Sequence, residues 1–340
     1  MSHAPLTVFV TGATGLLGGH VVRQLLHDGH RVRALVRDVE RAQDLLPFHP
    51  GLVMVQGDLQ DVPAFAAHLA GADAVIHAGA YFRESFQGGR HLARLLAINV
   101  EGTRALVAAA LEHAVGRFLQ VSSIGTLRPW REDRLPVRED DRLAADETEN
   151  DYYRSKILAD EVVEDALRTN PELWGAFVLP GFMNGPGDAG PTAAGRTILD
   201  FMARRLPGVV NAHFSFVDAR DVATACVRAL TEGQRGRRYI VAGRRMHLAD
   251  QFELLGRITG VPGPRRRVPM GLLGVVALLQ EVWARLTGRP VLMGLAIYRT
   301  LRREGPHGAF DSTRAQRELG VAFRPLEETF RDAVVWLQAR

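Results

Sequence analysis

The chain has 340 residues, 46% of them hydrophobic, enough to bury a large α/β core without covalent staples. Its single cysteine, Cys226, excludes an internal disulfide framework and fits a reducing compartment. The net charge of +4 arises from 42 Lys and Arg residues scattered among 38 acids, which argues against the gathered basic stripe of a nucleic-acid binder. Only Arg265-Arg266-Arg267 forms a basic run, and it reads as a solvated turn between prolines. The opening residues, MSHAPLTVFVTG, lack the basic and apolar regions of a secretion signal, so a cytoplasmic location is expected.

Residues 6–11 (LTVFVT) form an apolar, β-branched run and predict a strand. Gly12, Gly15 and Gly18 follow in a G-x-x-G-x-x-G turn that also holds Thr14, Leu16 and Leu17. Residues 20–27 then read as helix, with Val21, Val22, Leu25 and Leu26 on one side. Strand, glycine turn and helix in that order form the setting of a dinucleotide-binding turn. The glycines let the backbone approach a pyrophosphate, and the helix N-terminus offers free N–H groups. The spacing departs from the commoner G-x-G-x-x-G. Residues 31–36 predict a second strand ending in Arg37, where an NAD site would place a carboxylate for the ribose 2′-OH. An arginine there suits a 2′-phosphate, so NADP(H) is favoured over NAD(H). Arg33, alternating onto one strand face, reads as structural.

A third strand at 52–55 leads into Asp58 and Leu59, a short helix is expected over 62–69, and a fourth strand covers 73–77. Ala78-Gly79-Ala80 follow it, small enough to leave room for a flat ligand at the carboxyl edge of a sheet. His77 reads as a packed residue. Residues 90–113 predict the longest helix of the first half, and 117–121 a fifth strand with Ser122-Ser123 at its end. This alternation predicts a parallel, doubly wound sheet. Residues 124–150 form a polar, acid-rich loop, long enough to suggest a functional role. The loop delivers the chain to a helix over 152–167 that carries Lys156, the only lysine beside 41 arginines. Lys156 stands one helical turn after Tyr152, where the two side chains share a face. A compact ammonium beside a phenol favours phenolate and lowers its pKa, which would let Tyr152 exchange protons near neutrality. A solvated helix face would also account for the spacing, and this stretch alone leaves both readings open.

A sixth strand at 175–179 leads into a turn-dense loop over 180–188, containing Pro180, Phe182 and Met183. Beyond it, helices are expected over 193–206, 218–230, 248–259, 272–287, 290–302 and 326–337, and strands over 214–217 and 238–241. The division is a dinucleotide-binding domain over 1–180 and a substrate-binding lobe over 181–340, with segments around 210–245 returning to the main sheet. The apolar stretch 271–279 is interrupted by Gln280, Glu281 and Arg285 before the ~18–20 residues of a membrane span. It reads as a pocket wall or buried helix, with interfacial membrane contact left open.

Together these residues resemble the extended short-chain dehydrogenase/reductases over nearly the whole chain. TGATGLLG (11–18) is similar to that family's cofactor turn, GDL (57–59) to its adenine-holding element, HAGA (77–80) to its H-x-A-A stretch, and INVEGT (98–103) to its central-helix motif. VSS (121–123) looks like its serine strand end, and YYRSK matches Y-x-x-x-K with Tyr152 and Lys156. PGFMNGPGD (180–188), FVDARDVA (216–223) and FDSTRAQRELG (310–320) resemble its later landmarks. Within the family, VRALVRD, HAGA and SSIGT look most like the dihydroflavonol-reductase-like and hydroxysteroid-dehydrogenase-like group. Leu179 departs from the pattern, standing where a basic residue often precedes the proline.

The resemblance implies a Rossmann-type sheet of seven parallel strands with helices on both faces and a smaller, mostly helical C-terminal lobe. Tyr152 is implied as general acid or base, with Lys156 lowering its pKa and holding the nicotinamide ribose. Ser123 is implied as donor to the substrate oxygen, and Ser122 is its neighbouring candidate. Cofactor contacts are implied at Gly12, Thr14, Gly15, Leu16, Leu17, Gly18, Arg37, Asp58, Leu59, Ala78, Gly79, Ala80, Pro180, Phe182 and Met183, besides Tyr152 and Lys156. Phe82, Trp130 and Phe182 are candidate walls of a substrate pocket. The expected activity is NADPH-dependent reduction of a ketone or aldehyde of a small, fairly apolar molecule, or oxidation of the alcohol. A nucleotide-sugar epimerase is the alternative, opposed by Ile124-Gly125-Thr126 where such enzymes often carry V-Y-G. A non-catalytic NADP-binding redox sensor is a third reading, opposed by the retained Tyr/Lys pair. No metal and no nucleic acid are expected; a small-molecule substrate is, and a homodimer stays open.

Overall fold

The computed structural model describes residues 4–82, 90–128, 136–264, 266–287, 294–304 and 309–340. The first half runs β1 (Thr7–Thr11), α1 (Leu16–His27), β2 (Arg31–Val36), α2 (Val39–Gln43), β3 (Leu52–Gln56) and β4 (Ala74–His77), then α3 (Leu92–Leu95), α4 (Gly102–Glu112), β5 (Arg117–Val121), α5 (Asp151–Thr169) and β6 (Trp174–Pro180). The second half runs β7 (Phe182–Asn184), α6 (Ala193–Met202), β8 (His213–Asp218), α7 (Ala219–Glu232), β9 (Arg238–Val241), β10 (Arg244–His247) and α8 (Leu248–Thr259), then α9 (Met270–Thr287), α10 (Leu295–Glu304), α11 (Thr313–Glu318) and α12 (Leu326–Gln338).

Seven parallel strands form the main sheet in the order β3-β2-β1-β4-β5-β6-β9. Alternation divides its side chains between two cores. Val8, Val10, Ile76, Leu119 and Val121 meet α1 and α7 on one face, while Phe9, Val75, Phe118 and Phe177 meet α4 and α5 on the other. Strand order reverses between β1 and β4, which opens a crevice at their carboxyl ends where Gly12 and Ala78 stand. Of the stretch 210–245, Arg238–Val241 joins this sheet and α7 packs on α1, whereas β8 pairs with β7 and β10 in a separate three-stranded sheet. That small sheet contributes Phe214 and Phe216 to a third core with Phe201, Phe252 and Phe330.

The loop 124–150 is tied down along its described length. Leu127 bridges Arg142, and Val137 bridges Phe310. Buried Glu139 accepts the Ile240 N–H at 3.2 Å, and Ser312 Oγ accepts that of Ala242 at 3.1 Å. These side chains occupy backbone donors on the outer edge of β9 that would otherwise invite another strand.

Several elements differ from the sequence expectations, among them β7, which lies within the loop expected over 180–188. Residues 62–69 form two 3₁₀ turns, Val62–Ala64 and Ala66–Leu69, divided at Phe65, which leaves helical geometry at φ −123°. The expected helix over 90–113 contains a π-helical stretch, Leu96–Glu101, between α3 and α4. Finally, α9 is not a fully buried helix. Leu273, Ala277 and Ala284 are buried, but its other side turns Leu272, Val275, Leu279 and Leu286 to solvent. Among the described residues no helix is long and apolar enough to cross a membrane.

Candidate active site

The glycine turn between β1 and α1 is built for close backbone approach. Gly12 has φ +68°, and a Cβ there would stand 2.7 Å from the Gly79 nitrogen. A Cβ on Gly18 would run into the Gly12 carbonyl. Gly15 caps α1 without any side-chain hydrogen bond, so the first-turn N–H groups, including those of Leu16 and Leu17, have no capping side chain. The Leu16 and Leu17 side chains point into the core, 6% exposed each, so only their backbones can serve a ligand. Thr14 is half-buried beside them. Across the crevice, Ala78 and Gly79 are half-buried and Ala80 is exposed. Leu59 packs against Gly79 and Gly102 so closely that a Cβ on either would stand 2.9 Å from it. Asp58 Oδ1 accepts the Gln60 N–H at 3.0 Å, which holds the turn after β3.

His77 is a strut of this region. Its Nδ1 is 2.7 Å from Thr11 Oγ1 and its Nε2 2.9 Å from Thr103 Oγ1, and Thr11 Oγ1 in turn accepts the Gly79 N–H. Burial, assisted by the Lys156 charge, pushes its pKa down to about 3, so the ring is neutral. At the end of β2, Arg37 is exposed and makes no hydrogen bond or ion pair to any described residue. Arg33 differs. It donates to the His68 and Ala70 carbonyls at 2.7 and 2.6 Å.

Helix α5 starts where Asn150 accepts the N–H groups of Tyr152 and Tyr153 at 3.0 and 3.3 Å. That cap sets Tyr152 and Lys156 one turn apart. Lys156 is buried, and its Nζ donates to the Val121 carbonyl at 2.5 Å, at the strand end that carries the two serines. Tyr152 is half-buried, its ring 4.9 Å from that of Phe82. Tyr153 packs against Gly125, where a Cβ would collide with its ring.

The serines have distinct surroundings. Ser122 Oγ donates to Asp160 Oδ2 at 2.5 Å, and Arg238 holds the same oxygen at 2.7 Å while also donating to Thr126 and Glu164. The Ser122 proton is thereby committed inside a buried ion network. Ser123 is half-buried, and its Oγ accepts the Gly125 N–H at 3.1 Å, which keeps its own proton available to a substrate oxygen.

The electrostatics depart from the sequence expectation at one point. The Tyr152 phenol is held above its ordinary pKa, first by burial and then by the negative charge of Asp160. Burial likewise pulls Lys156 down to about 8, with Asp160 opposing. Desolvation disfavours the phenolate and the ammonium alike, and it is the largest cause of both shifts.

The sequence motif model of the NAD dependent epimerase/dehydratase family matches residues 8–242. The chain belongs to that family. Its relatives include sterol demethylase protein B of Methylococcus capsulatus, 33% identical over 98% of this chain and 99% of that one. A putative dihydroflavonol 4-reductase of Synechocystis is 30% identical over 97% of this chain and 94% of its own. The crystal structure of gox2253 shares the fold with a TM-score of 0.82 and 32% identity over 98% of both chains. Epimerase/dehydratase-family proteins bind NAD(P), and the turn fits such a cofactor: Gly12, Gly18 and Gly79 pack tightly against neighbouring atoms of the chain, and the first-turn N–H groups of α1 are left without a capping side chain.

The candidates that follow β6 in this family member have separate surroundings. Phe182 and Met183, neighbours on β7, face opposite ways. Phe182 packs edge-on against Phe214 at 4.4 Å in the lobe core, and Met183 packs against the α1 face of the main sheet. Pro180 is buried at the end of β6, paired with Val241. Trp130 lies outside the described residues.

Two groups escaped the sequence reading. Asn99, buried in the π-helical stretch, takes the Tyr81 N–H at 2.7 Å and donates to the Tyr81 carbonyl and to Ser155 Oγ at 3.1 and 3.0 Å. It thereby links the segment carrying Phe82 to the helix carrying Tyr152; the sequence marks it only as a member of the INVEGT motif, without a role. The Asp160–Arg238 pair was signalled by an acid one turn beyond Lys156, with nothing to mark its distant partner.

Proposed function

We propose that this chain is an NADPH-dependent oxidoreductase that reduces the carbonyl group of a small, fairly apolar molecule, or oxidises the corresponding alcohol. The observation that carries this reading is the Lys156–Val121 hydrogen bond, which joins the Tyr152 helix to the strand end bearing Ser123. Gly12, Gly15, Gly18, Thr14 and the backbones of Leu16 and Leu17 would hold the pyrophosphate, Asp58 and Leu59 the adenosine, and Arg37 the 2′-phosphate. Ala78, Gly79, Ala80 and Pro180 would border the nicotinamide. When bound, the cofactor supplies or accepts the hydride.

The protein's own part is positioning and proton delivery. Ser123 donates a hydrogen bond to the carbonyl oxygen. Tyr152 carries its proton through neutral pH because burial raises its pKa, which suits a general acid and favours reduction. Lys156 places positive charge beside the developing alkoxide. The Phe82–Tyr152 ring pair forms an apolar wall beside the acid. Relatives named for a sterol demethylase and a dihydroflavonol reductase support a multi-ring substrate. The reading places the enzyme in the cytoplasm.

Its test is cofactor consumption with panels of steroid ketones, dihydroflavonols, simple cyclic ketones and nucleotide sugars. NADPH oxidation with a cyclic ketone is expected. Interconversion of nucleotide sugars without net cofactor change would favour an epimerase, and binding without turnover of any compound would favour a sensor.

A further inference from the structure

The exposed apolar residues of this molecule are concentrated on one helix. Leu272, Val275, Leu279, Val282, Trp283 and Leu286 lie at helical spacing along the outer side of α9, from 45% exposed at Trp283 to 81% at Leu286. Isolated surface leucines need no explanation, but a contiguous stripe along an entire helix marks a contact surface. The helix does not cross a bilayer. Its inner side is fastened to the lobe core through Leu273, and the buried Glu281 accepts the Leu295 N–H at 3.4 Å, which ties it to α10.

The charge around this stripe is as uneven as its apolarity. Residues 261–304 contain eight arginines and two glutamates, a net +6 in a chain whose total is +4, so the remaining residues carry −2. Arg266 and Arg267, just before α9, and Arg302 on α10 are exposed. An apolar helical face flanked by arginines, with a tryptophan among its leucines, matches the two attractions of a membrane interface: burial among acyl chains and attraction to anionic headgroups.

We propose that α9 lies in the plane of an anionic lipid bilayer and docks the protein on the membrane surface through this face. The position has a consequence for the active site. Arg299 on α10 donates to the Glu149 carbonyl at 3.4 Å, immediately before the Asn150 cap of the helix carrying Tyr152. The docked hairpin is therefore fastened to the start of the catalytic helix, and an apolar carbonyl compound dissolved in the bilayer would enter from that side. This last step rests on the function proposed above; the docking does not.

The test is flotation of the full chain with vesicles of phosphatidylcholine and with vesicles of about three parts phosphatidylcholine to one part phosphatidylglycerol. The wild-type chain is expected to float with the anionic vesicles, less with the neutral ones, and less at high salt. Trp283 emission should shift to the blue on binding, and Trp283→Phe should remove that shift. The double substitution Leu279→Glu/Leu286→Glu should lower vesicle binding about tenfold or more while leaving the thermal midpoint and NADPH affinity unchanged. Failure of the wild type to float, or equal flotation of the double variant, would overturn the proposal. So would sedimentation showing a wild-type dimer that the double variant dissociates, since the face would then join two copies of this chain. Because flotation and fluorescence need no turnover, they hold or fail independently of the proposed reaction.

Discussion

The Lys156 ammonium donates to the Val121 carbonyl at 2.5 Å, binding the helix that carries Tyr152 to the strand end that carries Ser123. This bond gives a physical reason for one lysine in a chain of 41 arginines. The position is buried, and a planar guanidinium with five donors could not be satisfied by a single carbonyl where a compact ammonium fits.

Lysine at this site should cost stability. Burial lowers its pKa from 10.5 to about 8, so between those values the unfolded chain holds a proton that the folded chain has released. Stability from this group therefore rises with pH across that window, and below about 8 the full penalty of the buried charge is present. Lys156→Met should abolish turnover yet stabilise the fold at pH 7 by about 2 kcal/mol, a gain that shrinks above pH 10. Urea unfolding at the two pH values measures both effects.

The serine doublet should separate into one catalytic and one structural residue. Ser123→Ala should lower kcat about 100-fold, because it removes a donor to the reacting oxygen, and should cost no more than about 1 kcal/mol of stability through the lost cap on the Gly125 N–H. Ser122→Ala should instead cost about 1–3 kcal/mol of stability by taking a hydrogen bond from buried Asp160. Steady-state kinetics beside urea titrations distinguish them, and the reverse pattern would exchange their roles.

Asp160 and Arg238 form a buried ion pair at 2.7 Å, with side chains 1% and 8% exposed. Arg238→Met should destabilise the protein by about 3–5 kcal/mol, since it strands a carboxylate in the core. Asp160→Leu combined with Arg238→Met should recover much of that loss. Chemical unfolding of the single and double variants checks this, and additive losses would contradict a coupled pair.

How much of this was readable beforehand depended on the range of each interaction. The β1–glycine turn–α1 unit and the Tyr152–Lys156 spacing are local, so period and spacing reported them directly. The Asp160–Arg238 pair joins positions 78 residues apart and becomes visible only when β9 takes its place at the sheet edge. The turn-rich sequence around Phe182 and Met183 predicts a single loop, whereas strand alternation in β7 sends the two side chains to different cores. The α9 stretch has the apolarity of a core helix, and only the packed lobe shows which of its sides remains uncovered. The direction of the Tyr152 pKa escaped because a neighbouring charge can be read from spacing, but desolvation cannot.

Cofactor choice should depend on Arg37 and not on Arg33. Arg37→Ala should weaken NADPH binding by a factor of about 10 to 100 while changing NADH little, as expected for a lost charge-assisted phosphate contact. Arg33→Ala should lower thermal stability, because it abandons the His68 and Ala70 carbonyls, and leave the NADPH/NADH ratio unchanged. Titration of cofactor fluorescence measures both ratios.

The central claim is that Tyr152 delivers the proton to the substrate oxygen. Single-turnover NADPH oxidation, with a ketone that the wild type reduces, tests it in the Tyr152→Phe variant across pH. The wild type should reduce steadily through neutral pH, and its reverse oxidation should rise toward alkaline pH, because the raised phenol pKa keeps the proton in place. Tyr152→Phe should lose a factor of about 100 to 10,000 in rate while binding NADPH within about twofold of the wild type. A variant that still reduces the ketone at a near wild-type rate would contradict the account.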